Sequence, residues 1–128
     1  MVLVSHSRDV AAATAALARA LTGTGSPAPV AAAGGLPDGS IGTSAELVRA
    51  AVAKADEGAG VVVLCDMGSA VLTVKALLAD GSLGTADTRI VDAPFVEGAV
   101  TALVTASAGG DLAAVLAATD DARTYRKL

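Results

Sequence analysis

The chain opens on Met1-Val2-Leu3-Val4-Ser5-His6-Ser7-Arg8, an apolar run that breaks off at the only histidine in the sequence. Apolar residues without alternation belong to a strand buried on both faces, and in an open α/β sheet such a strand passes through a short polar turn into a helix. Ligands of these sheets gather beyond the carboxyl ends of the strands. His6 stands at such an end. An imidazole can act as a general base, a metal ligand or a nucleophile that carries a group covalently.

Outward from that turn, residues 9–21 are rich in Ala and Leu and free of Pro and Gly, which predicts a helix. A loop at 22–29 and a short strand at 30–33 follow, then a turn-rich connection, Gly34-Gly35-Leu36-Pro37-Asp38-Gly39-Ser40-Ile41-Gly42. Connections of that length in a compact domain are commonly functional. Thr43-Ser44-Ala45-Glu46 has the spacing of a capping box with Thr43 as the cap, and predicts a helix from 44 to about 55. Residues 61–65, Val-Val-Val-Leu-Cys, form the most strongly apolar strand. Asp66-Met67-Gly68-Ser69 is its exit turn, and a helix is expected over 70–79. A fourth strand at 89–91, its exit Asp92-Ala93-Pro94, a helix at 95–108 and a last helix capped by Asp111 and running to about 118 complete the pattern, with a charged tail from 120 expected to fray. The order, β-α repeated four times plus one helix, predicts a single α/β domain over 1–128. Its sheet is open and mostly parallel, with about four strands and helices on both faces.

Composition narrows the function. Hydrophobic residues make up 53% of the chain, mostly Ala, Val and Leu, and the only aromatics are Phe95 and Tyr125. With nine Lys or Arg against 13 Asp or Glu, the net charge is −4, and no basic, aromatic surface for nucleic acid is present. No apolar run approaches the roughly 20 residues that span a bilayer, and no signal segment opens the chain, so a cytoplasmic location is expected. Cys65 is the only cysteine and ends a buried strand, where a packed thiol is favoured over a reactive one. No GxxxxGK[ST] or GxGxxG cradle appears, so any nucleotide must sit on a partner. A single histidine supplies neither a zinc nor a two-metal ligand set, so no metal is expected.

The strand exits at His6, Asp66 and Asp92 fall on one edge of the sheet. If the first and third strands are neighbours, His6 and Asp66 face each other. The carboxylate then fixes the tautomer of the ring and leaves the other nitrogen free to attack. Gly68 and Ser69 open a helix, so their backbone N–H groups and the Ser69 hydroxyl can hold an anion. A histidine nucleophile beside an anion site points to phosphoryl transfer. Thr43, beside the same cleft, can also offer its hydroxyl to the phosphate; the plainer alternatives are that Asp66 and Asp92 cap helices, that Thr43 is only a cap, and that Met67 is core and not a changeable protein contact. Two readings stand for Arg8: a phosphate fork, or a solvated first-turn residue. Glu97-Gly98 serves packing and helix entry or, less commonly, function.

Ser5-His6-Ser7-Arg8, Ile41-Gly42-Thr43, Asp66-Met67-Gly68-Ser69-Ala70 and Ala93-Pro94-Phe95-Val96-Glu97-Gly98 resemble, in order and spacing, the phosphotransferase subunit of bacterial dihydroxyacetone kinase. The first domain of that subunit is similar in fold to the IIA domain of mannose-type sugar phosphotransferase systems. The resemblance implies that His6 accepts a phosphoryl group from the phosphocarrier HPr, that Asp66 orients it, and that Ser69 lies by the phosphate. It further implies delivery to ADP on the nucleotide-binding subunit of the kinase, no cofactor on this chain, and a homodimer. The stretch 23–39 matches only in general character. Two rival functions remain: a sugar-uptake IIA protein that passes the group to a IIB protein, and a receiver-type regulatory domain. The second would carry its phosphate on a strand-end Asp with an acidic pair and a lysine, whereas the first strand here ends in His.

Overall fold

In a computed structural model, which describes residues 1–84 and 86–128, four strands form one parallel sheet in the order β2-β1-β3-β4. The strands are β1 (Val2–Ser5), β2 (Ala31–Gly34), β3 (Val61–Cys65) and β4 (Thr88–Val91). Helices α1 (Arg8–Ala20), α2 (Ala45–Ala55), α3 (Gly68–Ala79), α4 (Phe95–Ser107) and α5 (Leu112–Asp121) alternate with them and close the chain. The expected α/β architecture is therefore the observed one.

The unbroken apolar runs of β1 and β3 follow from this layering. Val2, Val4, Val61 and Val63 pack with Val48 and Val52 of α2 and Val74 and Leu77 of α3 on one face. Leu3, Val62 and Leu64 pack with Ala15 and Ala18 of α1, Leu103 of α4 and Val115 of α5 on the other. Small side chains bring the layers close. A Cβ at Gly34 would lie 2.5 Å from the Ser7 carbonyl oxygen and 2.7 Å from the Arg8 Cα, so the start of α1 can rest on the end of β2 only over a glycine. Gly98 plays the same part in α4, where a Cβ would meet Leu64 at 2.7 Å and Ala93 at 3.0 Å.

Several expected boundaries move. Helix α2 is capped by Ser44, whose hydroxyl accepts the Leu47 N–H at 3.2 Å, and not by Thr43. Adjacent hydroxyls compete for that position, and Thr43 is held back by a bridge to Gly35 at the end of β2. Helix α3 starts at Gly68, two residues before the expected start at 70. The tail is ordered further than expected: α5 runs to Asp121 and a 3-10 turn (Ala122–Thr124) follows. Ala122 is buried there, and Arg123 reaches Asp92 while Lys127 reaches Glu97, which ties the charged residues to the entry of α4. Among the described residues, no helix is long and apolar enough to cross a membrane.

Candidate functional site

Strand order brings the site together. β1 lies between β2 and β3, so its exit is flanked by theirs. The β1–β3 pairing places Val4 beside Cys65, and one further ladder bond, Asp66 N–H to the Val4 carbonyl at 3.0 Å, sets Asp66 next to the start of the turn. On the other side the Gly35 N–H donates to the Ser5 carbonyl at 3.0 Å and the Gly42 N–H to the His6 carbonyl at 2.9 Å. The His6 backbone is thus held from both neighbouring exits before any side chain is considered.

The Asp66 carboxylate fits into that frame. Its Oδ2 accepts the His6 backbone N–H and the Ser5 hydroxyl, each at 2.9 Å, and its Oδ1 lies 3.0 Å from His6 Nδ1. The pair is only partly covered, with 18% of the His6 side chain and 16% of the Asp66 side chain exposed. Partial burial pushes the Asp66 carboxyl up, but the hydrogen bonds from the His6 backbone, the His6 ring and Ser5 together outweigh it, so it sits below the ordinary carboxylate range. An ionised carboxylate only accepts hydrogen bonds, which assigns the proton to Nδ1 and leaves the lone pair on Nε2. That nitrogen points at two hydroxyls, Ser69 Oγ at 2.7 Å and Thr43 Oγ1 at 3.5 Å.

Ser69 is the second residue of α3, whose cap residue Met67 contributes no side-chain hydrogen bond and whose first turn holds no acidic residue. The first N–H groups of a helix have no carbonyl one turn back, so those of Gly68 and Ser69 are free to bind an anion at the positive end of the helix. A Cβ at Gly68 would meet nothing within 4 Å, so the surface beside this residue is uncrowded. Asp66 does not cap this helix: its oxygens are committed to His6 and Ser5.

Of the expected site residues, His6, Asp66, Ser69 and Thr43 are linked by hydrogen bonds, and Gly68 adjoins them. Arg8 is turned elsewhere: its guanidinium donates to the Pro37 carbonyl at 3.3 Å and lies against Gly39, fastening the 35–42 connection, while the Asp38 carboxyl is lowered chiefly by the hydrogen bonds it accepts from the Ser40 hydroxyl and N–H, with the Arg8 charge adding least. Asp92 pairs with Arg123 and Glu97 with Lys127. Met67 is exposed, which removes it from the core. Burial pushes the Cys65 thiol up to about 12, with Asp66 adding to the shift, so it is a packed and unreactive thiol. Ser5 was not singled out from the sequence. The signal was there, because a polar residue closing a fully buried strand needs an internal partner.

Three comparisons place the chain in a family and a fold. Residues 1–116 match the family model EIIA-man, described as PTS system fructose IIA component. The chain is 34% identical over 106 residues to the phosphoryl donor subunit DhaM of PEP-dependent dihydroxyacetone kinase 2 from Listeria innocua, covering 81% of this chain and 82% of that protein. It is 36% identical over 121 residues to the corresponding DhaM subunit of Escherichia coli K12 and over 119 residues to that of Pantoea ananatis. This chain spans about a quarter of the length of those two, 25% in each case. The crystal structure of a protein of unknown function, EF1359, superimposes with a TM-score of 0.77 at 27% identity, covering 94% of this chain and 92% of that one. Sheet order, strand-exit histidine and family match converge, and the chain belongs to the EIIA-man family of phosphotransferase-system IIA components.

Proposed function

We propose that this chain is a phosphohistidine carrier, one IIA-like unit over residues 1–128, that serves as the phosphoryl donor of a PEP-dependent dihydroxyacetone kinase. The observation that carries the reading is the His6 ring, anchored to Asp66 at Nδ1 and aimed through Nε2 at Ser69 and the uncapped start of α3. The Nε2 lone pair attacks the phosphorus of a phosphohistidine on HPr or an HPr-like protein. The N–P bond of the donor breaks as the N–P bond on His6 forms. The phosphoryl oxygens then lie where the Ser69 and Thr43 hydroxyls and the Gly68 and Ser69 N–H groups donate to them. In the second transfer a β-phosphate oxygen of ADP, held on the nucleotide-binding subunit of the kinase, takes the group and forms ATP. Imidazole leaves with its Nδ1 proton still shared with Asp66.

The kinase assignment is supported by the relatives, which are named as phosphoryl donor subunits of that enzyme. Exposed Ile41 and Met67 stand on either side of the pair, each within a residue of a group bonded to His6. They offer a visiting protein apolar contact, and the second is an adaptable side chain. A cytoplasmic location and a homodimer, with the nucleotide on the partner and no cofactor of its own, belong to the same proposal and rest on the family resemblance. The description of the matching family favours a second reading, a sugar-uptake IIA component that passes its phosphoryl group to a IIB protein.

The test is mass spectrometry after incubation with enzyme I, HPr and phosphoenolpyruvate, followed by addition of ADP-loaded kinase subunit or of a IIB protein. One phosphoryl group should appear on His6 and leave on addition of the kinase subunit. Retained labelling of a folded His6→Ala variant would end the proposal, and discharge only by the IIB protein would replace it with the second reading.

A further inference from the structure

Ser5 closes β1 and is 1% exposed, so its hydroxyl depends on partners inside the protein. It has two. The Ser7 backbone N–H donates to Ser5 Oγ at 3.1 Å, and Ser5 Oγ lies 2.9 Å from Asp66 Oδ2. The first bond uses Oγ as an acceptor and leaves its single proton for the carboxylate. Asp66 Oδ2 then holds two donors, Ser5 and the His6 backbone N–H, while Oδ1 is left for the ring nitrogen.

We propose that Ser5 is a positioning residue for phosphoryl transfer, its buried hydroxyl keeping Asp66 an oriented carboxylate and thereby keeping His6 in the tautomer whose lone pair is on Nε2. The functional meaning rests on the phosphocarrier reading above; the physical content rests on the hydrogen bonds alone. Ser5 does not touch the reacting nitrogen and acts only through Asp66. A serine that merely served the Ser7 N–H would be indifferent to the charge on that carboxylate. Here the proton of the hydroxyl is directed at it, and a charge-assisted bond of this kind favours the ionised form. The titratable groups that face Asp66 are the His6 ring, across the pair, and the Cys65 thiol, next along the chain. Among the described residues no Lys or Arg forms an ion pair with Asp66, so Ser5 has no cationic competitor for this role.

The experiment compares Ser5→Ala, Ser5→Cys and Ser5→Thr in the whole chain. Cys keeps the approximate volume but is a weak donor, and Thr keeps the hydroxyl on a side chain suited to a strand. Folding is checked by circular dichroism and amide NMR spectra. The Asp66 carboxyl is titrated by carbon-13 NMR, the His6 tautomer is read from nitrogen-15 shifts, and the rate of phosphoryl acceptance from HPr is followed in parallel. In the Ala and Cys variants the Asp66 titration should rise by about one pH unit, the loss of one charge-assisted bond. The two ring nitrogens should lose their sharp pyrrole-like and pyridine-like distinction, and acceptance should slow by about tenfold. Ser5→Thr should restore all three. Folded Ala and Cys variants with unchanged titration and tautomer would overturn the proposal, as would a loss of rate with no spectral change. If the spectra shift as expected but wild-type His6 takes no phosphoryl group, the carrier reading fails and the control of the pair by Ser5 stands.

Discussion

Replacing Asp66 by Asn tests the central pair, because the two termini of the amide are not equivalent where the carboxylate oxygens were. The Oδ2 position receives two donors, the Ser5 hydroxyl and the His6 backbone N–H, so the amide oxygen must settle there. The amide NH2 then occupies the Oδ1 position, 3.0 Å from His6 Nδ1. A donor now faces that nitrogen, and the ring responds by moving its proton to Nε2, which blocks the attacking lone pair. Restoring the productive tautomer would set two donors against each other and leave one unsatisfied, at about 1–3 kcal/mol. Losing the carboxylate also removes the charge that steadies the ring as it accepts positive charge; a comparable exchange in a serine-protease triad lowers kcat by about 10⁴. Together these place the loss of acceptance rate at roughly 10²–10⁴, or about 2.7–5.5 kcal/mol on the barrier. Stability should suffer less. Both bonds at the Oδ2 position survive as weaker neutral bonds, so about 1–2 kcal/mol is expected, equivalent to a few degrees in Tm. Quench-flow measurement of His6 labelling by phospho-HPr, paired with thermal unfolding, separates the two effects. A rate within about threefold of wild type, too small to reflect a tautomer switch of this size, would refute the reasoning, as would a loss of rate wholly explained by the unfolded fraction.

The neighbouring hydroxyls at the start of α2 should divide their roles: Ser44→Ala loses the cap and about 1 kcal/mol in urea unfolding, while Thr43→Ala keeps stability and slows acceptance. Gly34→Ala forces a Cβ to within 2.5 Å of the Ser7 carbonyl oxygen and 2.7 Å of the Arg8 Cα, both backbone atoms, and should destabilise by about 2 kcal/mol or more in the same assay. Stability should carry an acid dependence from Asp66. Its folded pKa lies below the ordinary value of 3.8, so between the two values the unfolded chain binds more protons. The contribution is complete above the ordinary value and is lost as the pH falls through the folded one. Acid unfolding of Asp66→Asn should therefore be less steep than that of wild type in that window. Cys65, its thiol pushed up to about 12 by burial, should stay unmodified by alkylating reagents at neutral pH until the protein is unfolded in denaturant.

Local chemistry alone determined the element order and the position of the histidine. The apolar runs at 2–4 and 61–64 demanded strands covered on both faces, the breaker-free Ala-rich segments demanded helices, and a break in hydropathy at His6 marked a strand exit. These features depend on neighbours within a few residues, so they are written into the chain. What it could not carry is the choice between equivalent local solutions. Thr43 and Ser44 are both competent caps, and only the bridge of Thr43 to Gly35 assigns the cap to Ser44 and leaves Thr43 for the ring. Asp66 could have capped α3, and only the placement of β1 beside β3 commits its oxygens to His6 and Ser5. Arg8 reads equally as a phosphate ligand or a surface residue until the 35–42 connection folds under its guanidinium. The charged tail looks solvated until Asp92 and Glu97, about 30 residues upstream, supply its partners. In each case the deciding contact reaches beyond the local element, eight residues for Thr43 and Gly35 and about 30 or more for the others, and its free energy appears only once the fold has brought the partners together.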